Sequence, residues 1–220
     1  MRDLRIISTC QGAREETALH ASLQKLGFTA CYFFEHNRRG LSACYNEALD
    51  HAAGTDAILV LAHSDLVIAD ASAVDKIVAA TQWADVLGLV GSAEFTADIE
   101  QNAYRWSAWP RAALSGAVEH PYGPLTCWAV FGPTPRRCVI LDGLLLAVDM
   151  LSIGAVRFDE RFAFHLYDLD FCLTAHRAGL VCATVNVYVQ HLSRGNYEAP
   201  AYLEAAAEFR RKWSNVRERC

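Results

Sequence analysis

The chain has 220 residues, 53% hydrophobic and 20% charged, with 13 Gly and 6 Pro; this composition supports a buried core and excludes a disordered, collagen-like or low-complexity protein. A net charge of -5, from 20 basic against 25 acidic side chains, argues against nucleic acid as a partner, because no basic excess exists to displace counterions. The length fits a single domain over 1–220, and no apolar run approaches the roughly 18 residues that cross a bilayer as a helix.

Residues 1–5 (MRDLR) carry three charged side chains and lead directly into a strand pattern, without the apolar segment and cleavage site of a signal peptide, so a cytoplasmic location is expected. Residues 4–9 (LRIIST) read as a buried strand. Leu19, Leu23 and Leu26 recur at helical spacing, with Gly27 where a C-terminal cap belongs. Residues 28–34 (FTACYFF) predict a second strand, and Cys44, Tyr45, Ala48, Leu49 and Ala52 a helix ended by Gly54. Residues 56–62 (DAILVLA) have strand length, Ser72 and Asp75 have capping-box spacing ahead of Val74, Ile77, Val78 and Thr81, and residues 86–91 close the series as a strand. Such alternation predicts an α/β fold with a Rossmann-like, mostly parallel sheet and helices on both faces.

From 92 to 137 the alternation stops. The segment holds Trp106, Trp109, Trp128 and five of the six prolines, and reads as irregular or short antiparallel structure beside a cleft. Residues 138–148 (CVILDGLLLAV) then predict a strand, and a helix follows from Asp168 with Leu169, Cys172, Leu173 and His176 on its inner side before Gly179. Residues 180–190 (LVCATVNVYVQ) read as one long strand, and Tyr202, Ala206, Phe209 and Trp213 as an amphipathic helix on the surface. The eight cysteines are scattered, with no C-x-x-C among them, so buried free thiols are expected rather than disulfides or zinc.

Open α/β sheets bind ligands beyond the carboxyl ends of their strands. Two such ends carry metal-ligand types: DAILVLA runs into His63-Ser64-Asp65, and LVCATVNVYVQ into His191. A carboxylate with imidazoles suits a divalent ion, Mn2+ accepting nitrogen better than Mg2+; a turn-forming Asp65 and a satisfied loop His191 explain the same residues without one. Asp168 and Asp170 fall in a first helical turn, where the helix dipole alone accounts for one of them. Asp159 and Glu160 lie just upstream, so the acids together offer a general base.

These residues also carry a resemblance. The segments YNEAL from Tyr45, ILVLAHSD, LGLVGS, LDGLLLAVD, VRFDERFAFHLYDLDFCLTAHRAGL and His191-Leu192-Ser193-Arg194-Gly195 follow the order of the small GT-A glycosyltransferases of the family-2-like group. The resemblance implies a GT-A fold, a nucleotide-diphosphate-sugar donor, bound Mn2+ or Mg2+, and transfer to a glycan or other hydroxyl acceptor. On that basis His63, Asp65 and His191 form the metal site, with His63 standing where the D-x-D motif has its first Asp. Asp168 is the general base of an inverting displacement, preceded by Tyr167 where many relatives have Glu. Asp142 and Gly143 line the sugar and acceptor pocket, and Asn46 the donor side with Asp65. Residues 8–10 approach base and ribose. Arg136, Arg137 and Arg194 are candidates for phosphate or acceptor contacts, and a solvated surface position is the commoner explanation for each.

Three other readings stand beside it. A degenerate GT-A domain would bind a nucleotide sugar without turnover. His63, Asp65 and His191 also spell the two-histidine, one-carboxylate triad of Fe(II) oxygenases, although the helical segments oppose a jelly roll and the gap from Asp65 to His191 is long for neighbouring strands. A nucleotidyltransferase would share the architecture, but no Gly-rich phosphate loop is present.

Overall fold

The computed structural model describes residues 2–96, 109–193 and 197–220. In chain order the first part contains β1 (Leu4–Thr9), α1 (Ala18–Lys25), β2 (Cys31–Phe34), α2 (Leu41–His51), β3 (Ile58–Ala62), β4 (Leu66–Ile68), α3 (Ala73–Ala80), β5 (Val86–Gly88), β6 (Val90–Ser92) and β7 (Glu94–Thr96). There follow β8 (Leu114–Tyr122), β9 (Leu125–Gly132), β10 (Arg136–Cys138), β11 (Ile140–Leu141), β12 (Leu145–Asp149), α4 (Tyr167–Arg177), β13 (Cys182–Thr184), β14 (Val189–His191), α5 (Pro200–Lys212) and β15 (Arg217–Arg219).

The main sheet has the order β10-β13-β5-β12-β3-β1-β2. Strands β1, β2, β3, β5 and β13 share one direction, while β12 and β10 run against their neighbours. Strand periodicity divides the core: Ile7, Leu59 and Leu61 pack with α2, α4 and α5 on one face, and Ile6, Ile58 and Val60 with α1 and α3 on the other. Both faces are covered, which is why these strands are apolar throughout. Leu61 is fully buried, and truncating such a leucine to Ala costs about 2 to 5 kcal/mol through lost transfer energy and the cavity left behind. Thr17 caps α1 by accepting the His20 N–H at 3.2 Å, and beyond its other end Gly27 takes a φ of 68°, the left-handed conformation that lets the chain leave the helix.

A second sheet runs β11-β6-β8-β14-β4, with β9 on the outer side of β8. It accounts for four departures from the sequence expectations. Residues 86–91 split into β5 in the main sheet and β6 in the second, and 180–190 split likewise into β13 and β14. Residues 138–148 are not one strand either, because the chain turns at Asp142-Gly143 between β11 and β12. The middle segment is antiparallel, as expected, but as a long hairpin of β8 and β9 rather than short strands; Trp106 lies outside the described residues. The fifth departure is local. Ser72 stands at the N-cap of α3 but makes no side-chain cap, because its hydroxyl donates to Asp70 Oδ1 at 2.7 Å.

All eight cysteines are free thiols, five of them buried. Among the described residues no helix is long and apolar enough to cross a membrane.

Candidate active site

Because β1, β2 and β3 are parallel, their carboxyl ends share one edge of the main sheet. The chain leaving β3 is fixed there by the His63 N–H, which donates to Leu144 O at 3.1 Å. Strand β4 then pairs antiparallel with β14, placing His191 opposite Leu66, and the Leu192 N–H donates to Asp65 O at 3.1 Å. This register brings His191 Nε2 to 3.4 Å from Asp65 Oδ2, and the His63 and His191 ring centroids to 6.1 Å. One donor atom from each of His63, Asp65 and His191 lies within 4.8 Å of the other two, and all three residues are partly exposed. Burial alone would raise Asp65, but hydrogen bonds from His191 and Ser193 and the nearby imidazoles hold its carboxyl well below the usual range. Burial lowers His63, against the opposing charges of Asp65 and Asp142, and so favours the neutral ring that can ligate a metal. One carboxylate and two imidazoles in this compass fit a divalent transition ion, Mn2+ among them, better than Mg2+, which prefers an all-oxygen shell.

A second group sits on the Asp142-Gly143 turn. Asp142 Oδ1 accepts the Leu144 N–H at 2.9 Å, shaping the turn, and the Gly143 N–H donates to Asp168 Oδ2 at 2.7 Å. Burial, followed by the charge of Asp142, pushes Asp168 up to about 7, while the backbone N–H bonds it accepts pull the other way. That is the range in which a carboxylate works as a general base near neutral pH. Tyr167 joins the two groups: its hydroxyl donates to Gly143 O at 2.8 Å and lies 2.9 Å from His63 Nε2.

The other sequence candidates lie elsewhere. Asn46 is not in either group, since its side chain bonds the Phe158 backbone on both sides (Nδ2 to O at 3.0 Å, Oδ1 from N at 2.8 Å) and reaches Glu160 at 3.1 Å. Ser8 is buried and donates to Ala62 O at 2.7 Å, fixing β1 to β3. Arg136 clamps the carbonyls of Ala112 and Leu114, Arg137 is exposed on β10, and Arg194 lies outside the described residues. Asp159 is paired with Arg161 and Lys212, and the fully buried Asp170 of α4 with Lys212 and Trp213.

Three neighbours went unnoticed as site residues in the sequence. Tyr167 stood out there only as a departure from Glu. Phe164 stacks on His63 with centroids 6.3 Å apart, and His120 packs on His191 at 5.5 Å. The parallel register Gln190↔Glu119 puts His120 beside His191, a relationship between strands that no local pattern carries.

No family model and no curated protein matches the sequence. The fold does match solved structures. GalNAc-T7 with UDP, GalNAc and Mn2+ superposes with a TM-score of 0.57 at 10% identity, over 94% of this chain and 48% of that one. The mannosyltransferase PcManGT from Pyrobaculum calidifontis, in complex with GDP-Man and Mn2+, gives 0.51 at 14% identity, over 96% of this chain and 61% of that one. A197 from STIV is also similar, at a TM-score of 0.49 and 11% identity over 90% of this chain and 100% of that one. The fold is thus of the GT-A type, and the chain spans about half to three fifths of the two glycosyltransferases it matches. It is not the jelly roll that an Fe(II) oxygenase reading needs, although β4 and β14 are neighbours despite the long gap between Asp65 and His191.

Proposed function

We propose that the chain is a metal-dependent, inverting glycosyltransferase domain, spanning 1–220, that moves a sugar from a nucleotide-diphosphate donor to a hydroxyl acceptor. The observation that carries this reading is the convergence, on a GT-A fold, of His63, Asp65 and His191 within 4.8 Å, with Asp168 linked to them through Gly143 and Tyr167. The donor set admits a divalent transition ion such as Mn2+, and Mn2+ accompanies the nucleotide ligands of both glycosyltransferase neighbours.

Asp65, His63 and His191 would hold the ion, which supplies positive charge against the leaving diphosphate. Asp168 takes the proton of the acceptor hydroxyl as its oxygen bonds the anomeric carbon and the carbon–phosphate oxygen bond breaks from the opposite side, inverting the centre. Gly143 and Asp142 border the space in which that hydroxyl sits, and the Gly143 N–H orients the base. A chain of net charge -5 would meet an anionic donor here, and a divalent ion would offset the repulsion between them.

Calorimetric titration with UDP-, GDP- and dTDP-sugars tests this reading. Donor binding is expected in Mn2+, lost in EDTA and lost in Asp65→Ala; equal affinity in all three overturns it. His63 in place of an Asp is also compatible with a domain that binds donor without turnover, and metal-dependent binding with no transfer to any of a panel of hydroxyl acceptors selects that alternative.

A further inference from the structure

We propose that Tyr167 is a positioning residue that fixes His63 as its Nε2–H tautomer and so leaves the Nδ1 lone pair for the metal. The inference rests on the divalent-ion reading of His63, Asp65 and His191.

The argument follows from counting protons. Tyr167 Oη has two polar neighbours, Gly143 O at 2.8 Å and His63 Nε2 at 2.9 Å. A phenol has one proton to donate, and a carbonyl oxygen can only accept. The proton therefore goes to Gly143 O, and the lone pair of the phenol faces His63 Nε2, which must present an N–H. A neutral imidazole carries one N–H, so Nδ1 is the nitrogen free to ligate, and the protonated ring, with two N–H groups, would not ligate at all. The reverse arrangement, with Tyr167 donating to His63, would strand the Gly143 carbonyl without its donor.

The geometry is held from every side. Tyr167 is buried at the first position of α4, its ring against Tyr45 at 6.0 Å and Phe158 at 5.8 Å, so the hydroxyl has little freedom to swing. Gly143 is fixed from its other face by Asp168. Phe164 stacks on the His63 ring at an interplanar angle of 16° and limits its rotation. A histidine ligand whose second nitrogen is committed in this way has its ring orientation and tautomer set before the ion arrives, and loss of such a partner weakens metal affinity by about 10- to 100-fold. Tyr167 supplies that second bond without adding a negative charge.

Two measurements on the full chain test it. Long-range 1H–15N NMR of the metal-free wild type reads the tautomer directly, and Nε2–H is expected at His63. Co2+ titration followed by calorimetry and by the visible d–d bands should show Tyr167→Phe binding about 10- to 100-fold more weakly, with its Tm lowered by a few degrees because Gly143 O loses its donor, and His63 no longer held in one tautomer. An Nδ1–H tautomer in the wild type overturns the proposal, and that readout stands even if Tyr167→Phe does not fold. Unchanged Co2+ affinity and spectrum in Tyr167→Phe, with Asp65→Ala unable to bind, overturns it alone. Wild-type affinity in Asp65→Ala overturns the metal reading and this proposal together.

Discussion

Asp168 and Gly143 approach so closely that no side chain fits between them: a Cβ on Gly143 would stand 2.8 Å from Asp168 Cβ and 2.4 Å from Tyr167 Oη. The same peptide donates its N–H to Asp168 and accepts the Tyr167 hydroxyl through its carbonyl. One backbone unit thus orients the proposed base on one side and the partner of a proposed metal ligand on the other.

Gly143→Ala should therefore act on both groups at once. The extra methyl displaces Tyr167 and Asp168, costing about 1 to 3 kcal/mol as overpacking, while the fold survives. Sugar transfer and metal affinity are both expected to fall. Urea unfolding together with metal titration checks this, and a variant that loses stability yet keeps wild-type metal affinity would separate the turn from the site.

The pH dependence follows from Asp168. Its carboxyl is pushed up to about 7, so the base is ionised only as pH rises through that value, and kcat should climb about tenfold per unit below it before levelling off. For stability the sign is opposite. A carboxyl whose pKa is raised on folding stabilises the protein below its ordinary range, and that contribution is lost as pH rises through about 7. Asp168→Asn keeps the shape, cannot ionise and should lower kcat by about 10² to 10⁴, while becoming more stable relative to wild type between about pH 4 and about pH 7. Undiminished transfer by Asp168→Asn would reduce the residue to holding the Gly143 turn, since an Asn side-chain oxygen accepts the same N–H.

Asp170 is expected to respond quite differently. It accepts Trp213 Nε1 at 2.8 Å and Lys212 at 2.7 Å, and so ties α5 to α4 inside the core. Asp170→Ala leaves the buried Trp213 indole N–H without its acceptor and Lys212 with Asp159 alone, and should cost about 1 to 3 kcal/mol. Denaturant midpoints measure the loss, and metal affinity of the remaining folded protein should be unchanged.

Thiol counting offers an independent check. Denaturation without reductant should release eight reactive thiols, in keeping with the eight free cysteines; a count clearly below eight would indicate disulfides in the native protein.

The sequence made these two carboxylates look alike. They are two residues apart, which is about 200° around a helix, so Asp168 faces the site and Asp170 the core. Periodicity revealed β1, α1 and the apolar run of β3 well, since local spacing determines which face each residue takes. It could not reveal that 86–91 and 180–190 change sheets midway, because strands buried on both sides carry no alternation to mark the crossing. The Asp142-Gly143 pair is a turn signal that was hidden within the apolar run of 138–148. His63, Asp65 and His191 were legible as strand-end residues, whereas the Tyr167 bond to His63 and the approach of His120 depend on packing between distant segments.

The pairing of β4 with β14 has a kinetic consequence. Asp65 and His191 come together only when these two strands, far apart in sequence, have found their register, and a slip of one residue would turn His191 to the other side of the sheet. Closing so long a loop is a slow, non-local event, and the unfolded chain offers no preformed cage. If this pair forms after the rate-limiting step, bound metal would leave the refolding rate almost unchanged and lengthen the lifetime of the native state, so that its effect appears in the unfolding arm of a chevron.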